Sequence, residues 1–423
     1  MKHDMKSGSF VEDASPACRY CGTALTHTLV DLGLSPLAND YVSKEKESIP
    51  DPYYPLHVRV CDDCFLVQVD DVVPPEHIFH EEYAYFSSFS DSWLKHCQKF
   101  ANAATKRFNL SSSSLVLEIA SNDGYLLQYF ADQDVPVLGV EPSASVARVA
   151  QEKGIPTRVE FFGQAFADEL AREGVQPDLI CSANVLAHVP DIGDFVAGIA
   201  DLLTGDGVYT VEFPHLASLI KKVQFDTVYH EHFSYLSLTS IERIFGDLGL
   251  RVFDVETLPT HGGSLRVYAC LKTATHPEEA SVAKVRALEL AEKFNTLDGY
   301  TDFEKHVHAV RDGLLDYLHQ AKEAGRHVVG YGAAAKGNTL LNYCDVDNNL
   351  IEYVVDKNPA KQNTLLPGSR IPVHGLEALS KSPPDDILIL PWNIRDEVVA
   401  QLSDLRGAGV RFVTAVPHIE IIA

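Results

Sequence analysis

The fold is decided by residues 115–129, which read Leu-Val-Leu-Glu-Ile-Ala-Ser-Asn-Asp-Gly-Tyr-Leu-Leu-Gln-Tyr. The first residues form a short apolar run, which is typical of a strand buried on both faces. Small and turn-forming residues follow from Ala120 to Gly124, and apolar residues then resume at helical spacing. Strand, tight turn and helix form the first unit of a doubly wound α/β domain, in which ligands bind beyond the carboxyl ends of the strands.

A second acid stands where such domains often bind a ribose. Glu141 follows the apolar run 137–140 and comes seventeen positions after Gly124. In dinucleotide-binding folds, an acid about 20 residues after the glycine turn accepts hydrogen bonds from the ribose hydroxyls. We therefore expect Glu141 to bind the ribose of a nucleoside cofactor.

The chemistry of the turn distinguishes between two nucleoside cofactors. A dinucleotide needs several glycines so that the backbone can approach its pyrophosphate, whereas this turn has one glycine and two acids that would repel phosphate, Glu118 and Asp123. S-adenosylmethionine has no phosphate and carries an ammonium and a sulfonium, so the turn favours it. The alternative is an ordinary strand-to-helix turn. The predicted cofactor contacts are Glu118, Ala120, Ser121, Asn122, Asp123, Gly124, Glu141, Pro142, Phe162 and Asn184.

Length and charge restrict the class of protein. A chain of 423 residues is too long for one compact core, so two or three domains are expected. The net charge of −24 argues against nucleic acid and anionic membranes as partners, because both require basic surface. No apolar stretch approaches the length of a membrane span, and the first residues are polar, so we expect a cytoplasmic protein.

Four of the eight cysteines form a metal-type pattern. Cys18 and Cys21 make one Cys-x-x-Cys pair, and Cys61 and Cys64 make another forty residues later. Two such pairs are the ligand set of a structural zinc site, in which four thiolates close the coordination sphere. A redox disulfide is the alternative, although neither pair has thioredoxin-like surroundings. The prediction is a zinc ion that stabilises a small domain.

The alternation of strands and helices continues through the chain. Strands of the first α/β domain are predicted at residues 115–119, 137–140, 157–162, 178–182, 208–213, 251–256 and 265–271. The last two form a late hairpin, which gives methyltransferase sheets their final antiparallel strand. Thr239 and Glu242 have the spacing of a capping box that begins a helix, and residues 276–325 are predicted to be helical.

A second α/β domain follows this helical region. Its first strand, residues 328–331, leads into a turn with the pattern Gly330-x-Gly332-x-x-Ala335 and then Lys336, and Asp356 ends the next strand. The pattern is a weak dinucleotide match and lacks the Gly-Lys-Ser/Thr of a Walker loop. We favour a scaffold, or part of a nucleotide-sugar pocket in which Lys336 faces a phosphate.

Chemistry is predicted in residues 226–235, Asp-Thr-Val-Tyr-His-Glu-His-Phe-Ser-Tyr. His232 is a natural general base at neutral pH, Glu231 could fix its tautomer or stabilise the imidazolium, and Tyr229 could bond an oxyanion. His-x-His also suggests a metal, but no further ligands are visible. The remaining alternative is a capping loop whose histidines, His230 above all, are satisfied by backbone groups.

An aromatic and hydroxyl-rich stretch, residues 81–93, precedes the central domain. Tyr83, Tyr85 and Phe89 could stack on a base, with Ser87, Ser88 and Ser90 donating to phosphates. A linker that packs its aromatic rings on the next domain is an equal alternative.

Together these motifs resemble the nucleotide-sugar C-methyltransferases of deoxysugar biosynthesis, the group that includes the D-tetronitrose 3-C-methyltransferase. The resemblance covers nearly the whole chain. It extends over the four cysteines, Tyr83-Ala-Tyr85, Glu118 to Gly124, Glu141-Pro-Ser143, Asn184 to His188, Tyr229 to His232, His261-Gly-Gly263 and Gly330 to Lys336. It implies a zinc-binding module (1–80), a class I methyltransferase domain with a seven-stranded Rossmann-like sheet (81–275) and a Rossmann-like α/β C-terminal domain that binds substrate (276–423).

The resemblance also implies residue roles. His232 corresponds to the catalytic base, Tyr229 and Glu231 to its supporting residues, and the substrate contacts are Tyr83, Tyr85, Ser88, His188, His261 and Lys336. Ala120 stands where the family's loop has glycine, and His230 stands where the tetronitrose enzyme has an acid, which leaves the accepted sugar open.

The predicted activity is methylation of carbon 3 of a nucleotide-linked, dTDP-type, 4-keto-deoxyhexose by way of an enolate, with S-adenosylmethionine as cofactor and Zn²⁺ as structural ion. The alternatives are an O- or N-methyltransferase, a nicotinamide oxidoreductase using the Gly330 turn, and a non-catalytic, zinc-stabilised nucleotide-sugar-binding protein. A monomer or a weak homodimer is expected, with no nucleic acid and no membrane partner.

Overall fold

The computed structural model describes residues 16–70, Val73 and residues 87–422. The strands in these ranges are β1 (His27–Ser35), β2 (Val42–Ser43), β3 (Tyr54–Val60), β4 (Val67–Val69), β5 (Val116–Ile119), β6 (Val137–Val140), β7 (Thr157–Arg158), β8 (Leu179–Ala183), β9 (Val208–Pro214), β10 (Ser234–Tyr235), β11 (Leu250–Leu258), β12 (Ser264–Leu271), β13 (Val328–Tyr331), β14 (Val354–Val355), β15 (Thr364–Leu365), β16 (Val373–His374), β17 (Asp386–Ile389), β18 (Arg411–Thr414) and β19 (Glu420–Ile422).

Helices cover these sheets. They are α1 (Asp91–Arg107), α2 (Leu127–Ala131), α3 (Ala144–Glu152), α4 (Gln164–Arg172), α5 (Ile192–Leu202), α6 (Leu216–Lys221), α7 (Leu238–Asp247), α8 (Ala280–Ala291), α9 (Phe303–Glu323), α10 (Ala335–Tyr343), α11 (Glu377–Lys381), α12 (Arg395–Gln401) and α13 (Ser403–Gly407). Among the described helices, none has both the length and the apolar character that crossing a bilayer requires.

The central sheet has seven strands in the order β11–β12–β9–β8–β5–β6–β7. β12 pairs antiparallel with β9 and β11, while the pairings of β5 with β6 and β8 are parallel. This order confirms the class I methyltransferase fold and its late antiparallel hairpin. Because the chain leaves β5 toward β6 and returns on the other side to β8, the turn after β5 lies at the switch point where open α/β sheets bind ligands.

The C-terminal sheet repeats this plan with the order β16–β14–β13–β17–β18–β19. β13 pairs parallel with β14 and β17, so the turn after β13 also lies at a switch point. The edge strand β19 runs antiparallel to β18 and has no counterpart in the sequence prediction. The predicted Rossmann-like α/β architecture is confirmed.

The N-terminal sheet is completed by a strand from far along the chain. β1, β3 and β4 pair antiparallel, and the fourth strand is β10, in which Ser234 pairs with Gln68. β10 begins two residues after His232. The predicted chemical segment therefore continues directly into the sheet of the cysteine-bearing module, which sequence periodicity did not indicate.

A single apolar core joins the outer modules to this segment. It contains Val58 of β3, Phe233 of the segment 226–235 and Phe225 just before it, and Leu314 and Leu340 of the C-terminal domain. Because burial of each large side chain contributes roughly 1.5–3 kcal/mol, the segment is held by the same packing that holds both outer modules.

Three local predictions are corrected by the structure. Residues 276–325 are not one helix, because α8 and α9 are separated at Lys293 and Asp302, both with positive φ. The helix predicted to start at Thr239 has Ser237 as N-cap in a capping box with Ser240. The strand predicted at 157–162 ends at Arg158, and Phe161 beyond it is exposed.

Candidate active site

The turn after β5 adopts a conformation that most residues avoid. Ala120, Asn122 and Gly124 have φ of 54°, 49° and 78°. A Cβ on Gly124 would lie 3.0 Å from Cγ1 of Ile155, so a glycine is needed there for space as well as for φ. Ala120, at the position where the resembling family has glycine, carries left-handed strain on the order of 1 kcal/mol.

The turn holds buried acceptors that lack partners. Both carboxylate oxygens of Glu118, the hydroxyl of Ser121 and Oδ1 of Asp123 have no hydrogen-bond partner among the described residues. Burial raises the pKa of Glu118 well above its ordinary value, the nearby Tyr125 hydroxyl opposes this shift, and the carboxylates Glu141 and Asp123 raise the pKa further. Buried polar groups are nearly always paired, so these acceptors indicate a cationic, hydrogen-bond-donating ligand.

Glu141 clamps the same turn through its two oxygens. Oε2 accepts a hydrogen bond from the backbone N–H of Asn122 (3.0 Å), and Oε1 accepts one from the N–H of Ser143 (2.8 Å). A carboxylate has about four acceptor sites, so each oxygen can still accept a ribose hydroxyl. Burial raises the pKa of Glu141. These residues fit the predicted adenosyl cofactor.

Ser88 lies against the cofactor turn instead of projecting toward a phosphate. Its hydroxyl donates to Oδ2 of Asp123, and the N–H of Ser87 donates to Oδ1 of Asn122 (2.9 Å). Lys153 also donates to Oδ2 of Asp123, at 2.9 Å. The direct phosphate contact predicted for Ser88 stays a prediction, and in this structure Asp123 accepts its hydroxyl proton. Tyr83 and Tyr85 lie outside the described residues.

The remaining predicted cofactor contacts surround the carboxyl edge of the sheet. Asn184 follows β8 with φ of 58°, and its Oδ1 has no partner among the described residues. Pro142 follows Glu141 and is partly buried. Phe162 stacks edge-on against Phe195, with ring centroids 5.4 Å apart, and so packs on α5. Their contacts with the cofactor stay predictions.

The imidazole of His232 is held in one tautomer. Its Nδ1 lies 2.8 Å from the carbonyl oxygen of Thr227, which can only accept, so Nδ1 carries the proton. Nε2 then has the lone pair, and the hydroxyl of Tyr229 donates to it at 2.8 Å. The two rings are in contact, with centroids 4.0 Å apart. His232 is therefore neutral in this arrangement, and its basic nitrogen accepts a hydrogen bond from a tyrosine hydroxyl.

Three further predicted residues converge on His232. The ring of His188 lies edge-on to it at 4.7 Å, and Nδ1 of His188 donates to the carbonyl of Glu231 (2.7 Å). Burial lowers the pKa of His232 well below 6.5, and His188, Lys336 and His261 lower it further. Burial also lowers the pKa values of His188 and His261 to about 4. The structure thus brings four potential cations together where little charge is tolerated.

Glu231 has a different position from the predicted one. Its Oε1 accepts a hydrogen bond from the Asn39 amide (3.0 Å), and Oε2 has no partner among the described residues. Thr227, and not Glu231, fixes the tautomer of His232, so that part of the prediction is corrected. Nε2 of His230 lies 3.1 Å from the Pro55 carbonyl, in agreement with the interpretation that backbone groups satisfy this histidine.

Sequence reasoning missed two buried acids near the site. Glu212, at the end of β9, accepts hydrogen bonds from His96 (2.8 Å), Arg266 (2.6 Å) and Thr260 (2.9 Å). Asp226 is fully buried and accepts one from the indole N–H of Trp392 (2.6 Å). Arg266 lies 54 residues from Glu212 along the chain, and Trp392 lies 166 residues from Asp226. No local sequence pattern therefore indicates these contacts.

The four cysteines form a compact group. Their sulfur atoms all lie within 4.8 Å of one another, with Cys18 and Cys64 3.6 Å apart and Cys21 and Cys61 3.4 Å apart. A tetrahedral zinc with Zn–S bonds of about 2.3 Å places sulfurs about 3.8 Å apart, so this group fits the ion. Such a site has no open position, and its zinc stabilises the module without taking part in chemistry.

The turn after β13 differs from a cofactor turn. Asp356 accepts hydrogen bonds from the N–H groups of Ala333 and Asn358, both at 2.7 Å. The carbonyl of Ala333 accepts from the Tyr41 hydroxyl (2.5 Å) and from Lys361 (2.6 Å). Lys336 donates to Asn393 (3.0 Å), and its ammonium lies 4.8 Å from the centre of the Trp392 ring.

Comparison with known proteins agrees with this architecture. Family models match residues 18–79 ("Putative zinc binding domain"), 93–255 ("Methyltransferase domain") and 259–417 ("C-methyltransferase C-terminal domain"). The C-methyltransferase NovU of Streptomyces niveus is 34% identical over 406 residues, which cover 96% of each chain. A ubiquinone biosynthesis O-methyltransferase of Bradyrhizobium is 30% identical over 118 residues, which cover 27% of this chain and 45% of that protein.

Among solved structures, the magnesium protoporphyrin IX methyltransferase of Synechocystis with bound S-adenosylhomocysteine is similar to part of the chain. It covers 42% of this chain and 82% of its own, with 19% identity and a TM-score of 0.33.

The sheet order and the acid-lined turn define an S-adenosylmethionine-dependent methyltransferase with a zinc-binding module. The chain belongs to the family of C-methyltransferases that NovU represents, since the similarity extends over nearly the full length of both chains.

Proposed function

We propose that the protein methylates carbon 3 of a nucleotide-linked 4-keto-deoxyhexose, the substrate that the sequence resemblance implies. The observation that carries this proposal is the His232–Tyr229 pair, in which a neutral imidazole has its basic Nε2 on a phenolic hydroxyl. Methyl transfer to a carbon requires a carbanion equivalent. A carbon next to a ketone supplies one as an enolate once a base removes its proton.

His232 is the proposed base. Its pKa is lowered by burial and by neighbouring cationic side chains, so its Nε2 stays unprotonated at neutral pH. In the proposed step, the hydroxyl of Tyr229 turns from Nε2 to the sugar's 4-oxygen as Nε2 takes the proton from carbon 3. The C–H electron pair becomes the enolate π bond, and the ketone oxygen takes the negative charge. A base of low pKa requires this charge to be stabilised where it develops.

The surroundings of His232 supply that stabilisation. Tyr229 donates one hydrogen bond to the enolate oxygen, and Lys336, whose ammonium lies 4.8 Å from the centre of the Trp392 ring that contacts Asp226, provides positive potential. His188 and His261 present nitrogen atoms to the sugar or its phosphates. S-adenosylmethionine, when bound, supplies an electrophilic methyl group, which carbon 3 takes by in-line displacement. The proton on His232 is then released to solvent.

Solvent deuterium exchange without a methyl donor tests this proposal. The protein is mixed in D₂O with S-adenosylhomocysteine and dTDP-4-keto-6-deoxyglucose, and proton NMR follows carbons 3 and 5, the two carbons next to the ketone. We expect exchange at carbon 3, a loss of at least ~100-fold in His232→Asn, and an acidic limb of the rate below pH 6.5, because His232 must stay unprotonated. Parent-rate exchange in His232→Asn would contradict the base assignment.

The same measurement separates the alternatives. Exchange at carbon 5 alone would move the methylated position to the other side of the ketone. Methyl transfer without any exchange would indicate an oxygen or nitrogen acceptor. Failure to bind S-adenosylhomocysteine in calorimetry would favour the alternative of a non-catalytic nucleotide-sugar-binding protein.

The cytoplasmic location and the monomeric or weakly dimeric state stay predictions, and sedimentation measurements test the oligomeric state.

A further inference from the structure

Asp226 is a buried acid to which the proposed reaction gives no role. Its side chain has no exposed surface, Oδ1 has no partner among the described residues, and Oδ2 accepts one hydrogen bond, from the indole of Trp392. Burial of a carboxylate costs several kcal/mol that nearby donors and cations must offset. Burial raises the pKa of Asp226 to about 6, although Lys336, the indole of Trp392 and nearby backbone N–H groups favour its charged form.

Asp226 directly precedes the residue that orients the proposed base. It lies in the single turn Phe225–Thr227, and the carbonyl of Thr227 accepts the Nδ1 proton of His232. The next carbonyl, that of Val228, accepts a hydrogen bond from the hydroxyl of Thr339 on α10 (2.8 Å). Thr339 of the C-terminal domain therefore contacts the backbone one residue after Thr227, and Trp392 of the same domain contacts the side chain one residue before it.

Trp392 is itself held rigidly. It follows β17 in the short turn Trp392–Ile394, at the carboxyl edge of the C-terminal sheet. A Cβ on Gly262 would lie 2.4 Å from its six-membered ring, so the glycine, with φ of 86°, lets the ring pack against the hairpin of the central domain. The ammonium of Lys336 lies over the ring. Contacts from two domains thus fix the indole N–H that meets Asp226.

We propose that Trp392 and Asp226 are positioning residues that connect the C-terminal domain to the catalytic base, by holding the Thr227 carbonyl against Nδ1 of His232. This inference rests on the proposed function, in which His232 removes the sugar proton. The C-terminal domain then contributes to the proton-transfer step itself. A displacement of about 1 Å at a reacting group can reduce a rate by ~100-fold, so a small shift of the Thr227 carbonyl after loss of the Trp392 hydrogen bond is sufficient.

Two substitutions separate the hydrogen bond from the packing. Trp392→Phe keeps an aromatic ring and removes the N–H, whereas Asp226→Asn keeps an oxygen that accepts from the indole. We expect Trp392→Phe to slow deuterium exchange at the sugar by ~10–100-fold, with the KM for dTDP-4-keto-6-deoxyglucose changed less than threefold. Asp226→Asn should stay within about threefold of the parent, and Trp392→Phe combined with Asp226→Asn should be no slower than Trp392→Phe alone.

The matched control is Arg370→Gln, which removes an ion pair with Asp51 (2.8 Å) between the C-terminal and N-terminal domains, away from the base. We expect its exchange rate to stay within twofold of the parent. Calorimetric binding of S-adenosylhomocysteine should be the same for all variants, and thermal unfolding should show that each is folded.

The outcomes distinguish this inference from the proposed function. An inactive His232→Asn together with parent-rate exchange in Trp392→Phe overturns the positioning role alone. Equal slowing in Trp392→Phe and Arg370→Gln also overturns it, because any weakened domain contact would then suffice. Parent-rate exchange in His232→Asn removes the base, and with it both proposals.

Discussion

The chain contains two turns of the same design, one after β5 and one after β13, and only the first has the features of a cofactor site. Each lies at the switch point of a parallel sheet, and each is clamped by an acid at the end of the next strand. Glu141 holds Asn122 N–H and its own neighbour Ser143 N–H, and Asp356 holds Ala333 N–H and Asn358 N–H in the same way.

The difference lies in what occupies the space beyond the turn. After β5, buried acceptors on Glu118, Ser121 and Asp123 have no partner among the described residues. After β13, Tyr41 and Lys361 already donate to the turn carbonyl, and the third residue of the strand is Gly330 where β5 has Glu118. A strand–turn–helix with a ribose-type acid is therefore a shared scaffold, and the unpaired groups make the turn after β5 the candidate cofactor site.

The largest effect is expected when Glu141, the acid that clamps the turn after β5, is replaced, and Asp356, the acid that clamps the turn after β13, provides the comparison. Glu141→Ala should weaken S-adenosylhomocysteine binding by ~100-fold or more, because two charge-assisted hydrogen bonds to a ribose are worth roughly 1.5–3 kcal/mol each. Asp356→Ala should leave that affinity within twofold while lowering stability. Isothermal calorimetry measures both. Comparable losses in the two variants would show that the C-terminal turn contributes to the cofactor site.

The next largest effect is expected for Gly332→Ala, which should lower the stability of the protein. A Cβ there would lie 2.6 Å from Cδ of Pro391, and the φ of 87° is unfavourable for alanine. We expect a loss of about 2–3 kcal/mol in the free energy of unfolding, measured with urea, and unchanged binding of S-adenosylhomocysteine. A stable variant would mean that the turn after β13 can open.

Glu118→Gln should separate stability from binding. Because the folded protein raises the pKa of Glu118, the folded state binds the proton more tightly than the unfolded chain does, and the acid destabilises the fold as pH rises above about 4.5. We expect the substitution to stabilise the protein by ~1 kcal/mol at pH 8, with no gain at pH 4, and to weaken S-adenosylmethionine binding about tenfold. If Glu118→Gln and the parent protein had the same free energy of unfolding at both pH values, the Glu118 carboxylate would have a hydrogen-bond partner in the folded protein.

The smallest effect is expected for Ala120→Gly, the reverse of the change at Gly332. Glycine relieves the left-handed strain at φ of 54° but increases the entropy of the unfolded chain, so the net gain should be about 0.5 kcal/mol. Urea unfolding with S-adenosylhomocysteine absent measures it, and cofactor affinity should change less than twofold. A destabilised variant would show that the methyl group of Ala120 contributes packing.

The sequence predicts the scaffold well and the contacts of the site only partly. The strands at β5, β6 and β13 follow from short apolar runs, and the paired cysteines follow from spacing, because both signals are local. The pattern around His232 also indicates chemistry. Ser88, however, is predicted to donate to a phosphate, and in the structure it donates to Asp123, since the choice between two acceptors depends on distances that a sequence does not contain.

By itself, the sequence determined the class of fold, the cofactor type and the candidate base, because hydrophobic periodicity, charge in a turn and titratable side chains act over a few residues. The tertiary structure decided which nitrogen of His232 has the lone pair, which of the two acid-clamped turns keeps unpaired acceptors, and that strand β10 joins His232 to the zinc-binding module. The lone pair of His232 depends on the direction of a backbone carbonyl, which the sequence does not contain. The pairing of β10 with β4, like the contact of Trp392 with Asp226, joins residues more than a hundred positions apart, and only the folded chain brings them within hydrogen-bonding distance.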